Sequence, residues 1–145
     1  MTEVTFHFNV PDRLAYACRL LRKAIRKGAR VAVTAPAETL AALDRALWTF
    51  EPTEFVAHVR LSTGGSAAPR LQPTPIWLVE QVSDAPVQEV LLNLGTETPV
   101  GFESFERVIE IISVGNEDRL AGRERWKHYT GRGYPITRHE VSDER

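Results

Sequence analysis

The chain alternates short apolar segments rich in β-branched residues with amphipathic helical segments, and this alternation restricts its fold more than any other feature. Strand patterns lie at residues 4–10 and 30–35, and a helical pattern of crossover length separates them. A second helix is predicted over residues 36–48, where leucines recur on one side. Strands that alternate with helices in this way are typical of a layered α/β fold with a mainly parallel sheet.

The remaining segments extend the same pattern to the end of the chain. Further strands are predicted at residues 55–59, 76–79, 87–94 and 108–114, and residues 62–75, rich in Gly, Ser, Ala and Pro, predict a loop. Asn116 is expected to cap a last helix, which ends at Gly131 and Gly133. We therefore expect one Rossmann-like α/β domain over residues 1–140, with helices on both faces of the sheet, and a flexible tail over residues 141–145.

The composition excludes several classes of protein. The 18 Lys and Arg residues against 19 Asp and Glu give a net charge of −1, whereas proteins that coat nucleic acid by bulk electrostatics are strongly basic. The single cysteine, Cys18, excludes an internal disulfide and a cysteine-based zinc site, and the four histidines lack metal-ligand spacing. No apolar run approaches the roughly 20 residues of a membrane helix, and the first ten residues do not resemble a signal peptide. We expect a cytoplasmic protein with a buried Cys18 and no metal site.

No motif for catalysis or for cofactor binding is present. The loop after the first strand, NVPDRL, contains no glycine, and the chain has neither a GxGxxG turn nor a GxxxxGK[ST] phosphate loop. It also lacks the GxSxG and HExxH motifs. We therefore expect no cofactor and no catalytic residues. The alternative to a protein without catalytic activity is a small α/β enzyme of nucleotide or small-molecule metabolism.

The last predicted helix carries a basic stripe beside an aromatic side chain. Arg119, Arg123 and Lys127 are spaced four residues apart, and Trp126 falls on the same side. Like charges at this spacing destabilise a helix by a few tenths of a kcal/mol each. The stripe therefore suggests an anionic partner with an apolar group to bury. Two other interpretations are a solvated helix whose Trp packs on the core, and direct nucleic-acid binding, which the single aromatic disfavours as a stacking platform.

A second aromatic cluster follows the helix predicted over residues 36–48. It comprises Trp48, Phe50 and Phe55 and lies in a segment interrupted by proline. Large aromatics at the end of a helix are typical of a core, and they are also the residues that anchor protein–protein interfaces. Both interpretations stay open at this stage.

Taken together, these motifs resemble those of a known family. Residues 43–55 (LDRALWTFEPTEF), His58 and residues 119–129 (RLAGRERWKHY) resemble the chi subunit of bacterial DNA polymerase III holoenzyme, and the resemblance covers essentially the whole chain. It implies a non-catalytic accessory subunit of the clamp-loader assembly. Such a subunit holds the acidic C-terminal tail of single-stranded-DNA-binding protein, which ends in a Pro-Phe carboxylate, and it also binds the psi subunit. Contact with nucleic acid would then be indirect.

The resemblance also implies which residues form the two binding sites. The tail-binding residues would be Arg119, Arg123, Trp126, Lys127 and Ile112, and the psi-binding residues would be Trp48, Phe55 and His58. Arg123 would clamp the carboxylate, because a guanidinium can pair with it bidentately. This chain has Trp126 where family members often have Tyr, and its TFEPTEF segment departs from the family pattern.

Overall fold

The structure is a computed structural model that describes residues 2–49, 56–65 and 68–141. In chain order its elements are β1 (Glu3–Val10), α1 (Arg13–Arg26), β2 (Val31–Thr34), α2 (Ala37–Thr49), β3 (His58–Arg60), β4 (Ile76–Val79), β5 (Val90–Asn93), β6 (Arg107–Ser113), α3 (Asn116–Gly131) and β7 (Ile136–Glu140). Three short 3-10 turns, Pro69–Leu71, Val82–Asp84 and Phe102–Ser104, lie in the connections.

All seven described strands form one sheet. Their order across the sheet is β3-β4-β2-β5-β6-β1-β7, and every neighbouring pair is parallel. The interior strands β2, β4 and β5 are buried along their whole length, as expected for a parallel sheet covered on both faces. The predicted α/β layered fold is therefore confirmed.

The helices divide between the two faces of the sheet. On one face α1 and α2 bury their apolar stripes against β2, β4, β5 and β6, and Cys18 lies in this layer with 1% of its surface exposed. On the other face α3 packs with Tyr129 against Phe6 and Val108. Fully buried Trp77 also belongs to this second layer. The prediction of helices on both faces is thus confirmed.

The start of α3 differs from the prediction. Gly115, in an extended conformation, is the residue before the helix, and Asn116 is already its first helical residue. Asp118 ties the first turn to the rest of the fold, because its carboxylate accepts a 2.6 Å hydrogen bond from the Ser113 backbone N–H and lies 3.6 Å from Arg13 Nε. A carboxylate in the first turn also suits the positive end of the helix dipole.

The strand β7 was not predicted. It pairs with β1 at the edge of the sheet, and only Ile136 among its five residues is partly buried. An edge strand with four exposed polar residues lacks the apolar alternation that identifies strands in a sequence. Val141, the first residue of the expected tail, donates its backbone N–H to the Phe8 carbonyl at 2.9 Å. Residues 142–145 lie outside the described part of the chain.

The described residues contain neither a helix that could span a membrane nor a cluster of metal ligands. No helix there is both long enough and apolar enough to cross a bilayer. The same residues contain no group of three or more His, Cys, Asp and Glu side chains suited to hold a metal ion.

His7 lies between α1 and β7 and has a perturbed pKa. Its Nδ1 is 2.5 Å from the Tyr16 hydroxyl, and its ring centroid is 5.0 Å from that of His139. Burial, followed by the charges of His139 and Lys23, lowers the pKa of His7 from 6.5 to about 4. The folded protein therefore favours the neutral ring.

We expect this lowered pKa to make folding pH-dependent. The stability that the neutral ring contributes is complete above pH 6.5 and is lost as the pH falls toward 4. Between about pH 7 and pH 4.5 the unmodified protein should lose about 1–2 kcal/mol more stability than a His7→Gln variant, less than the full linkage value because the ring is partly exposed. Urea unfolding at the two pH values measures this difference. If the stability of both proteins depended on pH in the same way, His7 would not have a lowered pKa in the folded protein.

Candidate functional site

A pocket opens between α3 and the edge of the sheet formed by β1 and β7. Its volume is about 450 Å³, and it is lined by Phe6, Phe8, Asn9, Ile112, Arg119, Gly122, Arg123, Trp126, Arg138 and Glu140. We call it the α3 pocket. It brings together four residues that the family resemblance assigned to one site: Arg119, Arg123, Trp126 and Ile112.

Local geometry explains why these four residues converge. Positions 119, 122, 123 and 126 share one face of α3, and Ile112 precedes that helix on β6. A Cβ added at Gly122 would lie 2.5 Å from Ile112 Cδ1, so the missing side chain allows α3 to approach β6 this closely. A mid-helix glycine costs about 1 kcal/mol relative to alanine. That cost is offset by the close packing that places Ile112 in the lining of the pocket.

Trp126 is held in place by aromatic and cationic neighbours. Its ring meets Phe6 edge-on, with centroids 5.1 Å apart. The guanidinium of Arg138 lies 5.8 Å from the Trp126 centroid and 5.1 Å from that of Phe8. These distances are in the range of cation–π contacts. Trp126 therefore presents a fixed apolar wall with a positive group beside its ring.

Arg138 is a lining residue that the sequence interpretation missed. No role was predicted for it, because the segment that carries it was not recognised as a strand. One local feature of the sequence was consistent with a strand. The segment ITRHE directly follows Gly133 and Pro135, which end the helix, so the chain can return to the sheet there. Only β7, paired with β1, brings Arg138 across from Arg123.

The α3 pocket is electropositive. It is lined by three guanidiniums, those of Arg119, Arg123 and Arg138, against the one carboxylate of Glu140. Arg119 and Arg123 are exposed, and neither forms an ion pair with an acidic group in the described part of the chain. Cations without a counterion beside an apolar wall provide the two contacts that an anionic ligand with an aromatic group needs.

Lys127 has a different position from the other predicted residues. It does not line the α3 pocket, and its ammonium lies 3.7 Å from the Glu124 carboxylate. Both side chains are well exposed, so this pair contributes little to stability. Lys127 therefore stands one turn beyond Arg123, at the margin of the pocket.

Arg125, which lies on α3 between Arg123 and Lys127, is buried. Only 1% of its side chain is exposed, its Nε donates to Glu110 Oε1 at 2.8 Å, and its Nη1 donates to the Thr96 carbonyl at 2.8 Å. Its acidic partner comes from β6, 15 residues earlier, which no helical spacing reveals. Arg125 thus anchors the buried side of α3 and does not belong to the ligand-facing stripe.

Glu110 is the centre of a buried hydrogen-bond network beneath α3. Besides Arg125, the Tyr129 hydroxyl donates to its Oε2 at 2.7 Å, and Asn93 Nδ2 lies 3.0 and 3.2 Å from the two oxygens. Burial raises the pKa of Glu110, and the charge of Arg125 and these hydrogen bonds oppose that shift. Burial and the charge of Glu110 also raise the pKa of Tyr129, which keeps its proton for donation. Because all of these side chains donate hydrogen bonds to Glu110, the ionised carboxylate is the form that satisfies the network.

The residues predicted for the second site lie at the opposite edge of the sheet. Trp48, in the last turn of α2, is 60% exposed, and its ring centroid is 5.1 Å from that of His58 on β3. His58 is fixed by two contacts of 2.7 Å, from Nε2 to Asp44 Oδ1 and from Nδ1 to the Val56 carbonyl oxygen. Phe55, the third predicted residue, lies outside the described residues. Six strand spacings separate β3 from β7, about 29 Å.

Another cavity lies at the carboxyl ends of β2 and β5, where α/β enzymes commonly bind their ligands. It measures about 780 Å³. Its described lining includes the carboxylates of Glu80 and Glu97 and contains no lysine or arginine. Such a lining does not favour a phosphate group, so this crevice gives no support to the alternative of a nucleotide-metabolising enzyme.

Two comparisons with known proteins agree with each other. The family described as DNA polymerase III chi subunit, HolC, matches residues 1–137 of the chain. The DNA polymerase III subunit chi of Pseudomonas aeruginosa is 31% identical over 147 aligned residues, which cover 97% of this chain and 98% of that protein. The family match includes every residue predicted for the two sites and ends one residue before Arg138.

Proposed function

The chain belongs to the DNA polymerase III chi subunit family, and from this membership we propose that it is a non-catalytic subunit that holds the acidic C-terminal tail of single-stranded-DNA-binding protein in the α3 pocket. The tail ends in a phenylalanine whose carboxylate is free. A ligand of this kind requires cations and an apolar cavity at the same place.

The observation that supports the proposal most strongly is the composition of the α3 pocket. Exposed Arg119 and Arg123 stand beside an apolar wall formed by Trp126 and Ile112. The volume of about 450 Å³ lies in the usual range for a small-ligand pocket. A terminal phenylalanine would place its ring against Trp126 while its carboxylate reaches the guanidinium groups.

Each residue of the site has a distinct proposed task. Arg123 pairs with the terminal carboxylate, while Arg119 and Lys127 attract the acidic residues that precede it. Arg138, which faces Trp126 from β7, adds a third guanidinium to the pocket itself. Trp126 and Ile112 enclose the phenylalanine ring.

We also propose that the psi subunit binds at the opposite edge of the sheet. The exposed indole of Trp48 is the kind of side chain that anchors an interface, and the contact of His58 with Asp44 holds its ring beside it. Phe55 is assigned to the same surface from the family resemblance. Because the two surfaces lie about 29 Å apart, both partners can bind at once.

The contact between Arg123 and the terminal carboxylate is tested by calorimetry with a peptide that copies the last ten or so residues of the tail. We expect micromolar binding, about −8 kcal/mol. Arg123→Ala should weaken it by about 1.5–3 kcal/mol, because a charge-assisted hydrogen bond is lost. Arg132→Ala, which removes an equal charge just beyond α3 and outside the pocket, should leave the affinity unchanged.

A peptide with an amidated C-terminus identifies the group that Arg123 contacts. If Arg123 pairs with the carboxylate, amidation should weaken binding to the unmodified protein and have little further effect on Arg123→Ala. Fully additive losses would place the carboxylate elsewhere. No binding of the intact peptide to the folded protein would overturn the proposed function.

A further inference from the structure

A second electropositive surface lies on the other face of the sheet. A cavity of about 550 Å³ runs beside α1, past the amino ends of β2, β5 and β6. Its lining contains six cationic side chains, Arg19, Arg22, Lys23, Arg26, Lys27 and Arg107, and the described lining has no Asp or Glu. We call this cavity the α1 groove. It is separated from the α3 pocket by the sheet itself.

The amino-acid sequence shows the same asymmetry. No acidic residue occurs between Asp12 and Glu38, whereas this stretch contains seven of the chain's 18 Lys and Arg residues. Although the net charge of the chain is −1, positive charge is concentrated on α1 and the few residues that follow it. The strand β6 adds Arg107 to the same surface.

The cations follow a regular line. Arg19, Lys23 and Lys27 are four residues apart, which corresponds to a rise of about 6 Å at each step along the helix. All three are exposed, and none forms an ion pair with an acidic group among the described residues. The helix dipole favours cations in the last turn of α1, but it does not account for Arg19 or for Arg107 on the sheet.

An aromatic platform lies at one end of this line. Tyr16 contacts Arg19, whose guanidinium carbon is 5.7 Å from the ring centroid, and His7, whose ring centroid is 5.4 Å away. His139 contacts His7 from β7 and is exposed. The charges of His139 and Lys23 also contribute to the lowered pKa of His7, as expected in an electropositive groove.

We propose that the α1 groove binds single-stranded nucleic acid, with its phosphates along the line of cations and a base stacked at Tyr16 and His139. Proteins that bind single strands without sequence preference combine a positive groove with aromatic side chains in this way. An acidic peptide would use the cations but would have no need of the platform. The surface is separate from the proposed tail site, and this inference does not depend on that site.

The inference is compatible with the overall charge of the chain. A net charge of −1 excludes bulk coating of nucleic acid, but it allows a local and weak contact. We expect a dissociation constant on the order of 10⁻⁵–10⁻⁴ M at low salt for an oligothymidylate of about 20 nucleotides. With about three phosphates neutralised, log K should fall with log salt at a slope of about −2.

Fluorescence anisotropy with labelled oligothymidylate tests the proposal on the full chain. Lys23→Glu combined with Lys27→Glu should weaken binding at least about tenfold and flatten the salt slope. Lys23→Gln combined with Lys27→Gln is the milder variant if charge reversal disturbs folding, and it should give an intermediate effect. Arg123→Ala, which removes a cation from the α3 pocket, serves as the control for the other surface and should leave oligonucleotide binding unchanged.

The possible outcomes separate the two surfaces. Absence of binding to the unmodified protein at about 50 mM salt, or an equal loss in Arg123→Ala, would overturn the proposal. If the oligonucleotide fails to bind but an acidic peptide binds and depends on Lys23 and Lys27, the occupant is a peptide and the proposal is also wrong. Tail-peptide binding that persists in the Lys23 and Lys27 variants would show that the α3 pocket is intact in either case.

Discussion

Replacing Glu110 with glutamine is expected to destabilise the fold by about 3–5 kcal/mol, although the change removes one charge and almost no volume. Arg125 would remain buried on the inner face of α3 without a carboxylate to neutralise its charge. Tyr129 and Asn93 would also compete for an amide that offers one oxygen in place of two. A loss of this size is a large fraction of the 5–15 kcal/mol typical of a domain.

Urea unfolding followed by circular dichroism measures this effect. The matched control is Glu124→Gln, which removes the exposed partner of Lys127 and should change stability by no more than about 1 kcal/mol. A cost below about 1 kcal/mol for Glu110→Gln would mean that the network does not depend on an ionised group at Glu110.

Trp126→Ala is expected to cause the largest loss of tail-peptide binding. The indole is the apolar wall of the α3 pocket and is held by its contacts with Phe6 and Arg138. Truncation of a central aromatic in an interface typically costs about 2–4 kcal/mol, which is about 30-fold or more in affinity. Trp126→Tyr keeps a flat aromatic surface and should retain most of the affinity.

A peptide without its terminal phenylalanine provides the decisive control for Trp126. Calorimetry should show that deletion of the phenylalanine and Trp126→Ala are not additive, because each change removes the same contact. Urea unfolding of Trp126→Ala shows whether the variant is folded under the binding conditions. Equal binding of the intact peptide to Trp126→Ala and to the unmodified protein would remove Trp126 from the site.

The layered fold could be predicted because its signals are local. Strands such as β2 and β5 are short β-branched or apolar runs, and α2 has leucines on one side with a proline before its first turn. The order of the strands is set by packing between distant segments, so nothing in the periodicity indicated that β1 pairs with β6 and β7.

The α3 pocket could be predicted only in part, for a similar reason. Helical spacing was sufficient to group Arg119, Arg123 and Trp126 on one face of α3. It could not identify Arg125 as buried, since the partner that neutralises it comes from β6. It also could not bring Arg138 into the site, because that depends on a strand with few apolar residues.

The edge strand β7 has a consequence for the solubility of the protein. Its outer side faces no other strand of the described sheet, and an edge of this kind invites pairing with a second molecule. Arg138, His139 and Glu140 are exposed there, and charged side chains on an edge strand discourage such pairing. Two of these three residues also line the α3 pocket. An apolar replacement of Arg138 or Glu140 would therefore make the pocket more hydrophobic and would also remove a barrier to aggregation.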